Sequence, residues 1–184
     1  MLSTRKVYGP SRGFPISEDA ACDPVDQYGR NKLHTEREIQ MLLPGRSTIL
    51  RLSNVFGYEL GRHTFFGLAL DRLLRESAII LDVSPFVRRD FLPVSVFASV
   101  LARVLEEKPV GVFNLGAGLA TQLGEIALWL IEGYGRGKLI VESGRNYDNF
   151  LLDKGKLERA LGFSAPLPDI REHCLELGRQ LARA

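Results

Sequence analysis

The 184-residue chain has little of what marks metal centres and disulfide frameworks, with only two cysteines and three histidines. Cys22 and Cys174 lie far apart and in no metal-ligand spacing, so reduced thiols in a cytoplasmic protein are expected. His34, His63 and His173 are scattered without the helix-face spacing of a ligand pair, and no structural metal is expected. No apolar run approaches the roughly 20 residues of a membrane span, and Met1 to Lys6 hold no apolar leader stretch. An excess of either charge is also missing: 24 Lys and Arg face 22 Asp and Glu, for a net +2. No basic run is interleaved with aromatics, so neither nucleic acid nor membrane is an expected partner. What remains is ordinary for a soluble globular chain, 45% hydrophobic and 25% charged.

Strand-like and helix-like segments alternate. Asp23-Pro24 predicts an N-cap and first helical position for a helix reaching about Leu43, stopped by Pro44-Gly45. Thr48 to Ser53 is β-prone, Thr64 to Arg75 helical and Ala78 to Leu81 strand-like. Asp90 to Val94 predicts another strand, with Ser95 capping a helix to Glu107. Val110 to Leu115 is β-like, and Thr121 is placed as the cap of a helix ending near Gly133. Lys138 to Glu142 predicts a strand, and Lys154 to Leu161 a short helix closed by Gly162. A last helix from about Asp169 carries the apolar stripe Ile170, Cys174, Leu177 and Leu181. Alternation of this kind predicts an α/β fold with a parallel component. The rhythm loosens around Gly57, which places a lobe boundary there, between residues 1–57 and 58–184, the latter with elements returning to the sheet of the former.

Tyr28 and Lys32 fall in the first turns of the first helix, four residues apart and so on one face, with Glu36 and Ile39 further along it. An ammonium beside a phenol favours the phenolate, whose ordinary pKa of about 10 otherwise keeps it from serving as a base near neutrality. A hydroxyl from Thr4 would orient a substrate alcohol toward Tyr28, completing a general acid/base site at a sugar or alcohol oxygen. From the spacing alone, a surface helix with a half-buried tyrosine and a solvated lysine is the stronger reading.

The neighbouring segments decide between them by resemblance. Ser3-Thr4-Arg5-Lys6-Val7-Tyr8-Gly9 and Tyr28-x-x-x-Lys32 resemble motifs of the extended short-chain dehydrogenase/reductases, in their NAD-dependent nucleotide-sugar epimerase/dehydratase branch. So do Leu50 to Gly57, Arg88-Arg89-Asp90-Phe91-Leu92-Pro93-Val94, Phe113-Asn114-Leu115-Gly116, and Asp153 to Leu157 with Leu161-Gly162-Phe163. Six motifs in order cover nearly the whole chain. The resemblance implies the C-terminal part of a Rossmann-like parallel sheet plus a smaller α/β substrate-binding lobe. It implies Thr4, Tyr28 and Lys32 as the catalytic set, with Tyr28 as acid/base and Lys32 favouring its phenolate. Tyr28 and Lys32 would also contact the cofactor, NAD or NADP. Asn54, Arg89 and Arg145 would hold a nucleotide-diphosphate sugar, the arginines at the diphosphate.

Two departures narrow this expectation. The family's glycine-rich strand-to-helix turn, which cradles the cofactor pyrophosphate, is absent from the sequence. Gly116-Ala117-Gly118, with Thr121 at the third glycine position, and Gly133, Gly135 and Gly137 read as decoys. The expectation is therefore a portion of an epimerase or keto-sugar reductase, incompetent alone, which self-associates into a homo-oligomer or binds a chain supplying a glycine-rich half. A non-catalytic nucleotide-sugar-binding or protein-interaction module is the alternative. The second departure is at Arg5 and Lys6, where sugar dehydratases of the family carry an Asp-Glu pair, so 4,6-dehydration is not expected.

Overall fold

The computed structural model describes residues 1–10, 14–145 and 149–184. It divides into two compact units: residues 1–55, 90–120 and 150–167, and residues 56–89, 121–149 and 168–184. The chain crosses from one to the other in short strands, β3 (Asn54–Phe56), β5 (Arg88–Pro93) and β7 (Ala120–Gln122), which pair in the order β3-β5-β7.

The first unit is built on a parallel sheet in the order β1-β2-β6, from β1 (Leu2–Thr4), β2 (Thr48–Leu52) and β6 (Gly111–Leu115). Leu2 pairs with Leu50 and Leu50 with Phe113, so the register runs unbroken across the three strands. Parallel strands covered on both faces read as continuous apolar runs, as Ile49 to Leu52 does. The run has one exception, Arg51, and it too is buried. Helices α3 (Val94–Glu107) and α5 (Gly155–Leu161) pack Val100, Val104, Leu157 and Leu161 against Leu50, Phe113 and Leu115. A second cluster, Val7, Tyr8, Leu33, Ile16, Phe150 and Leu152, lies under helix α1 (Gln27–Leu42).

In the second unit, β4 (Ala78–Leu81) and β8 (Lys138–Val141) pair in parallel. Helices α2 (Phe65–Glu76), α4 (Leu123–Tyr134) and α6 (Ile170–Arg183) complete it. The stripe of α6, Ile170, Cys174, Leu177 and Leu181, is buried as its spacing predicts. Two glycines let α4 and α6 approach closely: a Cβ on Gly133 would sit 2.2 Å from the Leu175 carbonyl oxygen, and one on Gly178 2.4 Å from that of Leu130. Backbone cannot yield to a methyl as a side-chain tip can, so Gly178→Ala forces the helices apart. We expect it to cost about 2 kcal/mol, or roughly 6 °C in Tm by thermal unfolding.

Three helix starts differ from the sequence expectation. Helix α1 begins at Gln27, because Asp26 rather than Asp23 caps it, accepting a 2.7 Å hydrogen bond from the Gly29 amide. Thr121 does not cap α4; it lies within β7, and Glu125 accepts from the Gln122 amide at 3.2 Å. Ser95 sits inside the first turn of α3, whose N-cap is Pro93. At α1 two acids crowd one short stretch, and at α3 and α4 the helix begins directly where β5 and β7 end.

Candidate active site

Of the residues expected to form an acid/base set, Thr4 ends β1 and Tyr28 and Lys32 lie in the first turns of α1. The Thr4 hydroxyl accepts from the Lys6 amide at 3.3 Å, capping the short 3-10 turn Arg5–Tyr8. That turn delivers Lys6 to α1, where its ammonium bonds Asp26 Oδ2 at 2.7 Å. Asp26 thus does two jobs, one oxygen on the helix N-terminus and the other on Lys6. Its carboxyl is held below the ordinary carboxylate range, first by Lys6 and then by the Gly29 amide.

Tyr28 stands just inside the helix and is 52% exposed. Two ammonium groups flank it: Lys32 Nζ lies 5.9 Å from the ring centroid and Lys6 Nζ 5.8 Å. Lys32 is further anchored by donating to the Leu2 carbonyl at 3.1 Å, which ties α1 to the first residue of β1. The structure therefore brings Tyr28 and Lys32 together on α1, and adds a second cation that the sequence left among the departures. Gly29, between them, faces the turn; a Cβ there would meet the Lys6 carbonyl oxygen at 2.7 Å.

The expected substrate residues fall in different units. Asn54 opens β3 in the first unit and is half-buried. Arg89 and Arg145 belong to the second, Arg89 half-buried on β5 and Arg145 exposed on a loop. The Arg145 carbonyl accepts from the Ser84 amide at 2.8 Å, and its amide donates to Ser143 Oγ at 3.2 Å.

Behind the site lies a buried polar network that the sequence did not disclose. Arg51 on β2 and Glu36 on α1 form an ion pair at 2.7 Å, with side chains 7% and 1% exposed. Burial opposes the Arg51 charge, yet the Glu36 hydrogen bonds outweigh it, with help from Tyr8, and its pKa is raised. Tyr8 is itself pushed up to about 12 by burial, which Arg51 only partly offsets. The Tyr8 hydroxyl donates to Asn114 Oδ1 at 2.7 Å, and Asn114 Nδ2 donates to the Ile16 carbonyl at 2.9 Å. One signal was available: an arginine in an apolar strand requires a buried acid, and Glu36 lies on the inward face of α1.

Gly116-Ala117-Gly118 is committed to other work than binding phosphate. The Ala117 amide donates to Asp90 Oδ1 at 2.8 Å, and the Lys154 side chain fills the space beside Gly118. Asp90 Oδ2 accepts from the Leu152 amide at 3.2 Å, so one buried carboxyl ties β5 to two other segments. Among the described residues, no cluster of three or more His, Cys, Asp or Glu side chains could hold a metal ion, and no helix is long and apolar enough to cross a membrane.

Comparison with known proteins gives this geometry its family. The model of the NAD dependent epimerase/dehydratase family matches residues 1–116. The chain belongs to that family. A putative UDP-glucose 4-epimerase of Methanocaldococcus jannaschii is 28% identical over 175 residues, covering 90% of this chain and 56% of the relative. A dTDP-4-dehydro-6-deoxyglucose reductase of Escherichia coli is 31% identical over 119 residues, 61% of this chain and 37% of the relative. The crystal structure of a UDP-glucuronic acid 4-epimerase from Bacillus cereus, in complex with UDP-glucuronic acid and NAD, superposes with a TM-score of 0.80. It is 24% identical, with 98% of this chain and 60% of that one covered. The chain thus spans roughly one- to two-thirds of the length of these family members. The α/β fold with parallel sheets is the Rossmann-like fold of this family.

Proposed function

We propose that the chain carries the acid/base and substrate-binding portion of an NAD(P)-dependent nucleotide-sugar epimerase or keto-sugar reductase. The observation that carries this reading is the half-exposed Tyr28 in the first turn of α1, with the Lys6 and Lys32 ammoniums within 6 Å of its ring. Tyr28 takes the proton from a sugar hydroxyl oxygen, or returns it, and Thr4 shares a hydrogen bond with that oxygen. Lys32 holds the charge that develops on the phenol and reaches the ribose hydroxyls of the dinucleotide. NAD or NADP supplies, when bound, the acceptor and donor of the hydride at the sugar carbon. Asn54, Arg89 and Arg145 bind the nucleotide-diphosphate sugar, the arginines offering guanidinium forks to the diphosphate.

The donor set fits the nicotinamide half of the dinucleotide: a half-exposed tyrosine and an anchored ammonium beside it. In this reading the pyrophosphate seat lies elsewhere, which is supported by the Ala117 amide of the Gly116–Gly118 loop being held by Asp90. Arg5 and Lys6 favour epimerisation or reduction over dehydration. Neither is an acid, and both are engaged: the Arg5 guanidinium lies 3.9 Å from the Phe150 ring centroid and Lys6 is on Asp26.

The test is complementation in trans with the glycine-rich N-terminal segment of a full-length relative. Calorimetry of the 184 residues alone is expected to give no saturable NAD binding, and the mixture to bind NAD and interconvert or reduce a nucleotide-diphosphate sugar. Micromolar NAD binding by the chain alone would overturn the assignment of the pyrophosphate seat. A mixture that binds NAD and the nucleotide sugar without turnover would favour a non-catalytic binding module.

A further inference from the structure

We infer that Glu36 is the positioning residue of the acid/base set, fixing through Ser3 and Arg51 where Thr4 stands relative to Tyr28 and Lys32. The inference rests on the roles proposed above for those three residues. Its starting point is how little apolar surface holds α1 in place. Of its 16 residues, those buried are Gly29, Leu33 and Glu36. A helix seated by a broad apolar face is held without direction, because hydrophobic contact has no preferred angle. Here a single leucine supplies the large buried apolar contact, and a carboxylate supplies the direction.

That carboxylate is grasped from two strands. Arg51 of β2 reaches it with Nε at 3.2 and 3.1 Å from the two oxygens and Nη2 at 2.7 Å from Oε2, a planar fork with a narrow range of angles. Ser3 of β1 donates its hydroxyl to Oε1. Ser3 immediately precedes Thr4, and Glu36 lies one turn beyond Lys32 and two beyond Tyr28. A rotation or slide of α1 that moved Tyr28 would therefore break the Glu36 fork, and a shift of β1 that moved Thr4 would break the Ser3 limb.

The same guanidinium extends the lock to the segment that leads into α1. Arg51 Nη1 donates to the Glu18 carbonyl at 3.4 Å, and its guanidinium carbon lies 4.8 Å from the Tyr8 ring centroid. Glu18 Oε1 accepts from the Asn114 amide at 2.7 Å, returning the network to β6. A buried ion pair is weak evidence for stability, since an apolar pair of similar volume is often as stable. Its directional registry is what apolar packing cannot replace.

The experiment separates these two roles in the chain as it stands. Glu36→Leu alone strands Arg51 and is expected to lower Tm by about 10 °C. The double variant Glu36→Leu/Arg51→Met removes both charges and is expected to recover most of that loss. NMR of chain labelled at tyrosine and lysine reads the Tyr28 ring through its cross-peaks to the Lys6 and Lys32 side chains. Positioning predicts that the double variant, though folded, loses these cross-peaks and exchanges the Thr4 to Lys6 amides at least tenfold faster. A recovered Tm with wild-type cross-peaks and exchange would overturn the inference. Ser3→Ala cuts only the β1 limb and keeps the test alive should the double variant not fold. It is expected to speed exchange at Thr4 to Lys6, and unchanged exchange there would count against the lock. None of these readouts needs turnover, so a complemented wild type that is inactive would sink the acid/base reading and leave this measurement standing.

Discussion

Tyr28→Phe, in the chain complemented with a glycine-rich segment, is expected to lower kcat by about 10²–10⁴-fold while leaving NAD and nucleotide-sugar affinity nearly unchanged. The substitution removes one oxygen from a residue that is half exposed and whose ring contacts on this face are with the Lys6 and Lys32 ammoniums. Stability therefore changes little, and the loss falls on the proton transfer. Lys32 gives a different signature. Its ammonium holds the Leu2 carbonyl as well as flanking Tyr28. If Lys32 holds the ribose as proposed, Lys32→Met is expected to lower kcat and weaken NAD binding together. Steady-state kinetics with calorimetry on the same samples distinguishes the two. Full activity in Tyr28→Phe would show that another group moves the proton.

The second large effect is on stability and concerns Asp90. Burial raises its pKa from 3.8 to about 6, against the pull of the Ala117 and Leu152 amides. A carboxyl that holds its proton more tightly folded than unfolded stabilises the fold fully below about pH 4. That contribution is lost as pH rises through about 6 and is absent at pH 7. A rise of about two pH units corresponds to roughly 3 kcal/mol. Denaturant unfolding of wild type is thus expected to show a falling Asp90 contribution between pH 4 and 7. Asp90→Asn cannot ionise, and it should flatten that part of the profile while lowering stability at pH 4. The loss at pH 4 arises because its amide group turns a donor toward one of two buried N–H groups. An unchanged slope in Asp90→Asn would place the titration elsewhere.

Much of the fold was legible because it is written locally. Strand runs such as Ala78 to Leu81 and the α6 stripe Ile170, Cys174, Leu177 and Leu181 need only neighbouring residues to be read. The Tyr28–Lys32 spacing is local in the same way, and its helix places both as the spacing requires. The polar network was not legible, because its partners are distant in sequence: Ser3 with Glu36, Glu36 with Arg51, and Tyr8 with Asn114. Which of two nearby acids caps α1 was likewise decided by where the preceding segment ends, and Asp26 prevailed over Asp23. Asp90 read as one letter of a motif; only the fold shows its carboxyl turned inward to bind the glycine loop. The division into units also depends on the chain returning. Residues 90–120 and 150–167 belong with the first 55; a return from 58–184 to the first sheet was expected, but which segments make it was not legible.

The most direct measurement of the central claim is turnover in a mixing experiment, with this chain, the glycine-rich N-terminal segment of a relative, NAD and a nucleotide-diphosphate sugar. The claim is that these 184 residues hold the proton-transfer face and the partner segment the pyrophosphate seat. It predicts product in the mixture, none from either part alone, and none from a mixture made with Tyr28→Phe. Equal turnover with Tyr28→Phe, or turnover by the chain alone, would contradict it.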